Sequence, residues 1–301
     1  MTVIELIEAQ AARLKQARVS FGHGTTNAFD EAAWLVLHVM RIPFDGLEKE
    51  TARVVSEAEQ AEVQALVTQR IETRKPAAYL TKEAWLQNVP FYIDERSIVP
   101  RSYIAELLAD GEEEGILDAW LTDQTHLVLD LCTGNGSLAV IAAMAFPEVE
   151  VDAADISEDA LAIARINVEK HKLGKRIRVL QSNLFENLPG AYDLIVCNPP
   201  YVNSASMAKL PAEYQAEPGL ALAGGDDGMD IVRRILATAL PHLRPSGVLV
   251  LEIGHERKNF ERAFRKLEVA WLDTSGGSDK VLLVTREALE QAQARLGATG
   301  R

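Results

Sequence analysis

The residues best placed for chemistry are Asn198-Pro199-Pro200-Tyr201, which directly follow the apolar run Tyr192-Asp193-Leu194-Ile195-Val196-Cys197. That run reads as a buried strand of a parallel sheet. Two consecutive prolines fix φ and supply no N–H, so neither strand nor helix continues through them. The chain is thereby locked where a parallel sheet delivers its ligands, at the carboxyl end of a strand. A side-chain amide, prolyl carbonyls and an aromatic face are presented there. Such a set suits the grip of a planar –NH2 group: two carbonyl oxygens accept its two hydrogens while the ring stacks on its plane. The chemistry implied is chemistry on an amino nitrogen.

A second constellation, Asp130-Leu131-Cys132-Thr133-Gly134-Asn135-Gly136-Ser137, follows a strand and opens a helix running from Leu138 to Phe146. Gly134 and Gly136 allow a tight turn and close backbone approach to a ligand. Asp155 ends the next strand, 19 residues past Gly136, where a carboxylate accepts from both hydroxyls of a ribose. Gly134, Gly136 and Ala139 also satisfy G-x-G-x-x-G/A, so a nicotinamide enzyme is one reading. Asp130 favours another. An acid at that strand end crowds a pyrophosphate but welcomes a cation, such as the ammonium of the methionine moiety of S-adenosylmethionine. The plain alternative is that Asp130 caps the following turn. After the third strand, Ser182-Asn183-Leu184-Phe185 puts a polar side chain and an aromatic ring near an adenine. Asn183 either accepts from the adenine amino group through its amide oxygen or is a simple turn residue.

The elements that position these residues follow from periodicity. Helical spacing runs over 2–19 and from Asp30 to Met40, and Ser56 with Glu59 forms a capping box that opens a third helix ending by Pro76. Residues 84–100 read as a β-hairpin joining two domains, with Trp34, Trp85 and Trp271 as core residues. From Ile104 the pattern alternates helix and strand, which means a doubly wound α/β fold. Its strands are expected at Leu127–Leu131, Glu150–Ala154, Ile177–Gln181, Tyr192–Cys197 and Val248–Ile253. A final hairpin, near Val269–Leu272 and Lys280–Thr285, leaves one edge strand antiparallel. The chain then divides into a helical domain at 1–83, the hairpin at 84–100 and an α/β domain at 101–301. A surface helix after Glu287 ends in a frayed Gly297-Ala298-Thr299-Gly300-Arg301 terminus.

The 301 residues carry a net charge of −13, which argues against a large nucleic-acid footprint and favours a basic protein partner. Lys170, Lys172, Lys175, Arg176 and Arg178 form the one basic cluster and read as a solvated helix end. No apolar run reaches the ~18 residues needed to span a bilayer, and the N-terminus lacks the pattern of a signal peptide. Cys132 and Cys197 sit at apolar strand ends, outside any disulfide framework, and no His or carboxylate set completes a metal site around them. A cytoplasmic protein without metal or membrane partner is expected. Asp226-Asp227-Gly228-Met229-Asp230 reads as the cap of a helix that braces the tetrapeptide.

With the acidic glycine loop, Asp155 and Asn198-Pro199-Pro200-Tyr201 in register, the chain resembles the class I S-adenosylmethionine methyltransferases. Within them it is similar to the HemK family, which methylates the side-chain amide of a glutamine in a protein of the translation machinery. The resemblance covers nearly the whole chain and implies a Rossmann-like sheet with an antiparallel last strand, preceded by a small helical substrate-recognition domain. It also implies S-adenosylmethionine held by Asp130, Thr133, Gly134, Gly136, Asp155, Asn183, Leu184 and Asn198. Asn198, Pro199 and Tyr201 carry catalysis in that reading, and Pro200 joins them around the acceptor. The release-factor branch has Pro-Arg-Pro-Asp-Thr-Glu after the hairpin. Here Val99-Pro100-Arg101-Ser102-Tyr103-Ile104-Ala105-Glu106-Leu107 resembles instead the PrmB branch, which modifies the third protein of the large ribosomal subunit. Arg74-Lys75-Pro76-Ala77-Ala78-Tyr79-Leu80 and Ala221-Leu222-Ala223-Gly224-Gly225-Asp226-Asp227-Gly228 are similar to that branch too. Three positions depart from the family pattern: Asn183 replaces an aspartate, Lys82 replaces a glycine, and the turn Gly276-Gly277-Ser278-Asp279 differs.

The resemblance implies a large-subunit ribosomal protein as partner, with no nucleic-acid substrate. Acceptors on both N–H bonds raise electron density on the amide nitrogen and align it for in-line displacement. No strong general base is required, and His171, His242 and His255 read as structural or solvated. Glu252 ends its strand near the site without a task. Three alternatives stand beside this reading. A release factor offers the same chemistry at a Gly-Gly-Gln glutamine, an adenine-N6 methyltransferase uses a near-identical tetrapeptide on a flipped base, and a non-catalytic ribosome-assembly factor could keep the fold.

Overall fold

The computed structural model describes residues 1–109, 115–122 and 124–298. Helices α1 (Val3–Gln16), α2 (Ala28–Met40), α3 (Glu57–Thr73) and α4 (Ala77–Thr81) build the N-terminal part. Thr2 with Glu5 and Ser56 with Glu59 form full capping boxes, each satisfying two N–H groups that a helix start leaves without partners. Val3, Leu6, Ile7, Leu35, Val36, Val63 and Val67 meet in one buried cluster. That cluster continues into Ala84, Ile93 and Val99, and reaches Ile163 on α7 (Glu158–Lys170).

The hairpin is shorter than its apolar stretch predicts. Only β1 (Glu83–Leu86) and β2 (Val89–Tyr92) pair, antiparallel, through the turn Gln87-Asn88. Residues 93–100 form a loop toward the glycine turn instead. Trp85 is a correction: the residue is 42% exposed, on the side of the hairpin away from Ala84, with Nε1 donating to Glu83. Lys82, standing where the family pattern has glycine, takes the left-handed conformation (φ 58°) as the last cap of α4. Glycine adopts that conformation without the Cβ cost.

The second half is a seven-stranded sheet in the order β5-β4-β3-β6-β7-β9-β8. Its strands are β3 (Leu127–Leu131), β4 (Glu150–Asp155), β5 (Ile177–Gln181), β6 (Tyr192–Cys197), β7 (Leu243–Glu252), β8 (Ala270–Leu272) and β9 (Val281–Thr285). The side-chain period of two sends Val128, Val151, Leu194, Val196 and Val250 into one apolar layer and Leu129, Leu131, Ile195, Cys197 and Leu251 into the other. Helices α5 (Ile104–Ala109), α6 (Ser137–Ala145) and α7 contribute to the first face or its rim; α8 (Asp230–Thr238), α9 (Arg257–Ala263) and α10 (Arg286–Ala298) lie on the second. The last strand, β9, is antiparallel to both β7 and β8. It sits between them, so the edge strand β8 runs in the common direction, contrary to the expectation of an antiparallel edge. Of the frayed end expected at 297–301, Gly297 and Ala298 still belong to α10, and 299–301 lie outside the described residues.

The basic cluster is only partly solvated. Arg176 donates to the carbonyls of Ala143, Phe146 and Pro147 and thereby closes the C-terminus of α6, and Arg178 pairs with Asp152 through two hydrogen bonds. Among the described residues no helix is long and apolar enough to cross a membrane, and no group of three His, Cys, Asp or Glu side chains could hold a metal ion.

Candidate active site

The order of the sheet creates the site. From β3 the chain winds outward through β4 and β5, then returns to lay β6 on the other side of β3. Adjacent loops therefore leave in opposite directions, and a crevice opens between them. Leu131 pairs with Cys197 in that parallel register, so the glycine loop and Asn198 leave the sheet side by side. A cavity of ≈ 910 Å³ runs from Asp155 and Leu184 past Gly134 and Asn198 to Tyr103 and Lys280.

The glycine loop carries three left-handed residues, Cys132 (φ 61°), Gly134 (φ 55°) and Gly136 (φ 81°). A Cβ on Gly136 would come 3.1 Å from the Ala164 methyl, so this glycine serves the close approach of α6 to α7. Gly134 faces the cavity. Asn135 holds the loop from beneath: its Nδ2 donates to the Ile98 carbonyl and its Oδ1 accepts from Ser137 N–H. Asn167, fully buried on α7, accepts from Tyr92 N–H and donates to the Tyr92 and Asn135 carbonyls. It stitches β2 to the loop. Sequence reasoning passed over Asn167, because a buried mid-helix asparagine has no local signature.

Asp130 is turned inward. Its Oδ2 accepts from Thr133 Oγ1 at 2.5 Å and from Ala139 N–H at 2.9 Å, while Oδ1 is buried without a partner among the described residues. Neither Asp130 nor Gly136 lines the cavity. The carboxyl is therefore the brace of the loop, the plainer of the two readings of the sequence. Burial pushes its pKa up to about 7. Asp155 does line the cavity. Oδ2 accepts from Gly134 N–H and Oδ1 from Ser157 N–H, each at 2.9 Å. The second lone pair of each oxygen is left for hydroxyl donors. Burial raises its pKa as well. No basic side chain pairs with either acid among the described residues. Asp155, half-buried in the cavity wall without a counter-charge, suits a ligand that brings a diol.

On the far rim, Ser182 Oγ donates to the Leu184 carbonyl and holds Leu184 in the left-handed region at φ 53°. Asn183 lines the cavity. Its Oδ1 accepts from Arg234 and its Nδ2 donates to Glu186, which leaves one lone pair of the oxygen for an adenine. Phe185 departs from the expectation, packing into the core with its ring stacked 4.7 Å from His242.

Asn198 Oδ1 and Nδ2, by contrast, have no partner among the described residues, and neither does the Pro199 carbonyl. Tyr201 is held on three sides. Val202 N–H donates to the Leu222 carbonyl and Gly224 N–H to the Val202 carbonyl. A Cβ on Gly254 would fall 2.4 Å from the Tyr201 ring, and the Tyr201 hydroxyl donates to Glu252 Oε1 at 3.1 Å.

Residues 202–229 form a strap over the part of the cavity lined by Asn198-Pro199-Pro200-Tyr201. Two of its acids are buried against the N-terminal half. Glu213 accepts from Arg70, Arg74 and Ser20 N–H; Glu217 accepts from Arg101 and Val99 N–H. At the strap's end, Asp227 Oδ1 accepts from Met229 N–H, whereas α8 starts without a side-chain cap of its own. Sequence reasoning assigned neither glutamate a role, since their partners lie more than a hundred residues away.

The family described as "Methyltransferase small domain" matches residues 114–213. The chain is 54% identical, over 96% of each chain, to the "Ribosomal protein uL3 glutamine methyltransferase" of Bordetella pertussis (strain Tohama I). It is 50% identical to the protein of the same name from Burkholderia pseudomallei, over 94% of each chain. With that of Neisseria meningitidis serogroup B it shares 48% identity over 96% of this chain and 94% of the other. Among solved structures, the hMettl16 catalytic domain in complex with MAT2A 3′UTR hairpin 6 matches with a TM-score of 0.51 at 15% identity, over 78% of this chain and 84% of that one. This likeness is one of fold.

Proposed function

The chain belongs to the ribosomal protein uL3 glutamine methyltransferases, and on that premise we propose how its residues divide the work. It is an enzyme that transfers a methyl group from S-adenosylmethionine to the side-chain amide nitrogen of a glutamine in ribosomal protein uL3. S-adenosylmethionine supplies a methyl group on a sulfonium sulfur, an electrophile that loses its charge as the methyl departs. The chain's own residues bind, orient and shield. Asp155 takes the ribose hydroxyls, Gly134 offers its backbone, and Leu184 covers the base. Asp130 and Thr133 keep the loop in shape, and the Asp155 carboxylate in the cavity wall favours a cationic ligand.

The observation that carries the acceptor side is the free amide of Asn198 beside the free carbonyl of Pro199, on a strand end that abuts the glycine loop. An amide nitrogen is a poor nucleophile because its lone pair is delocalised. Two acceptors, Asn198 Oδ1 and the Pro199 carbonyl, take its two N–H bonds and hold it in line. Pro200 keeps the backbone from relaxing, and the Tyr201 ring covers the amide plane against water. The alkylated nitrogen is acidic enough to shed its proton to water, so the residues need supply no strong base.

The helical region recognises the acceptor protein together with the strap it holds. The acceptor is a protein rather than a nucleic acid, consistent with the net charge of −13, and the reaction takes place in the cytoplasm. The test is incubation with labelled S-adenosylmethionine and unmodified uL3, with the modified residue located by peptide mass spectrometry. One labelled glutamine in uL3 is expected. Label only in a Gly-Gly-Gln release factor would move the chain to the sister branch, and label in DNA adenine would end the protein-acceptor reading.

A further inference from the structure

Glu252 is among the most buried acids of the chain, 1% exposed, yet no basic side chain pairs with it among the described residues. Burying a carboxylate away from any cation is costly, and an apolar residue would pack there more cheaply. Its acceptor capacity is instead distributed between two parts of the molecule. Oε2 accepts from Ser102 Oγ at 2.7 Å and from Tyr103 N–H at 2.9 Å. Oε1 accepts from the Tyr201 hydroxyl. Strand register explains the placement: Cys197 pairs with Leu251, so Asn198 and Glu252 are the next residues along adjacent strands.

We propose that Glu252 is a positioning residue: it fixes the hydroxyl end of Tyr201 and couples that ring to Ser102-Tyr103, the stretch ahead of the glycine loop. The inference rests on the acceptor reading above and extends it. Tyr201 is clamped along its ring edge by Gly254 and along its backbone by the strap. The hydroxyl contact is the one that a different residue at 102 would loosen. Tyr103 is itself fitted against the turn at Gly276, where a Cβ would fall 2.4 Å from its ring, and Glu106 accepts from Ser275 N–H. The segment that distinguishes the branches is thus anchored at both ends and reports its shape to the tetrapeptide through one carboxylate.

The test joins a spectroscopic reading to a kinetic cycle. The full chain is labelled with 3-fluorotyrosine, and the Tyr201 resonance is assigned with Tyr201→Phe. Ser102→Ala is expected to shift that resonance in the free enzyme. In steady-state turnover with uL3, the loss of one hydrogen bond to Glu252 should lower kcat about fivefold. The KM for uL3 and the calorimetric Kd for S-adenosylmethionine should stay within about twofold. The double variant Ser102→Ala/Tyr201→Phe should be no slower than Tyr201→Phe alone, because both act through the same contact. Glu252→Gln gives a second route to the same reading. An unmoved Tyr201 resonance in Ser102→Ala, or rate losses that multiply in the double variant, would overturn the coupling. Failure of the wild-type enzyme to label uL3 would overturn the acceptor reading instead, and the fluorine spectrum would still decide the role of Glu252.

Discussion

Arg101 meets Glu217 through two parallel contacts, each guanidinium nitrogen 2.6 Å from a carboxylate oxygen. The pair ties the strap to the segment ahead of the glycine loop, and His23 stands 3.4 Å from the same carboxylate. Burial pushes the Glu217 carboxyl up, but the two hydrogen bonds and the charge of Arg101 hold it down at about 2.

Arg101→Met is therefore expected to cost about 3–5 kcal/mol, since it leaves a buried carboxylate short of its main counter-charge. Arg101→Met/Glu217→Gln should recover most of that loss. Urea denaturation of both variants checks it. Because the folded pKa of Glu217 lies below its ordinary value of 4.5, this contact is fully present above about pH 4.5 and is lost as the pH falls toward 2.

Asp130 has the opposite sign. With a folded pKa of about 7 against an unfolded 3.8, the native state holds a proton that the unfolded chain has released. Stability attributable to this group is present below pH 4 and declines through the window to pH 7, by roughly 4 kcal/mol at most. Urea midpoints measured at pH 5 and pH 8 should fall less for Asp130→Asn than for the wild type. An equal fall in both would show that the carboxyl ionises freely in the fold.

Asn198→Ala removes one of the two acceptors and little else, since the side chain has no hydrogen-bond partner among the described residues. Transfer to uL3 should drop about 10²–10³-fold, while calorimetry finds S-adenosylmethionine bound as before. An undiminished rate would make the tetrapeptide merely structural.

Gly254→Ala places a methyl group against the Tyr201 ring at a residue with φ 53°. The backbone cost is about 1 kcal/mol, and the displaced ring should lower kcat with little change in cofactor affinity. A rate that tracks the lost stability, and recovers on cooling, would argue against a role for ring placement.

Trp85 is exposed at the mouth of the cavity and supports no core. Trp85→Ala should shift stability by no more than about 0.5 kcal/mol. If the hairpin meets the acceptor, KM for uL3 rises while kcat and cofactor affinity hold.

The strands were legible because their apolar runs are bounded by turn residues, and β3, β5 and β6 fall on the expected residues. Turn chemistry also announced Asn198-Pro199-Pro200-Tyr201 and the glycine loop. Direction within the final hairpin was not legible, because a hairpin signal says that two strands are antiparallel to each other and not which of them joins the sheet. Trp85 misled for a related reason: alternation in a two-stranded hairpin marks two faces without saying which is covered. Asp130, Asn183 and Phe185 were placed by proximity in sequence, whereas their contacts with Ala139, Arg234 and His242 depend on how the loops fold back. The two strap glutamates and Glu252 are invisible to any local pattern, since each is defined by donors from remote segments.

The insertion of β9 between β7 and β8 has a consequence for the order in which the protein becomes competent. During synthesis β8 is made before β9 and has no partner in the sheet until residues 281–285 arrive. The same late stretch covers the free edge of β7 and brings Lys280, whose carbonyl accepts from Ile253 N–H beside the Tyr201 clamp. A nascent chain still inside the exit tunnel beyond about residue 280 therefore holds the glycine loop and the tetrapeptide but an unfinished wall on the acceptor side.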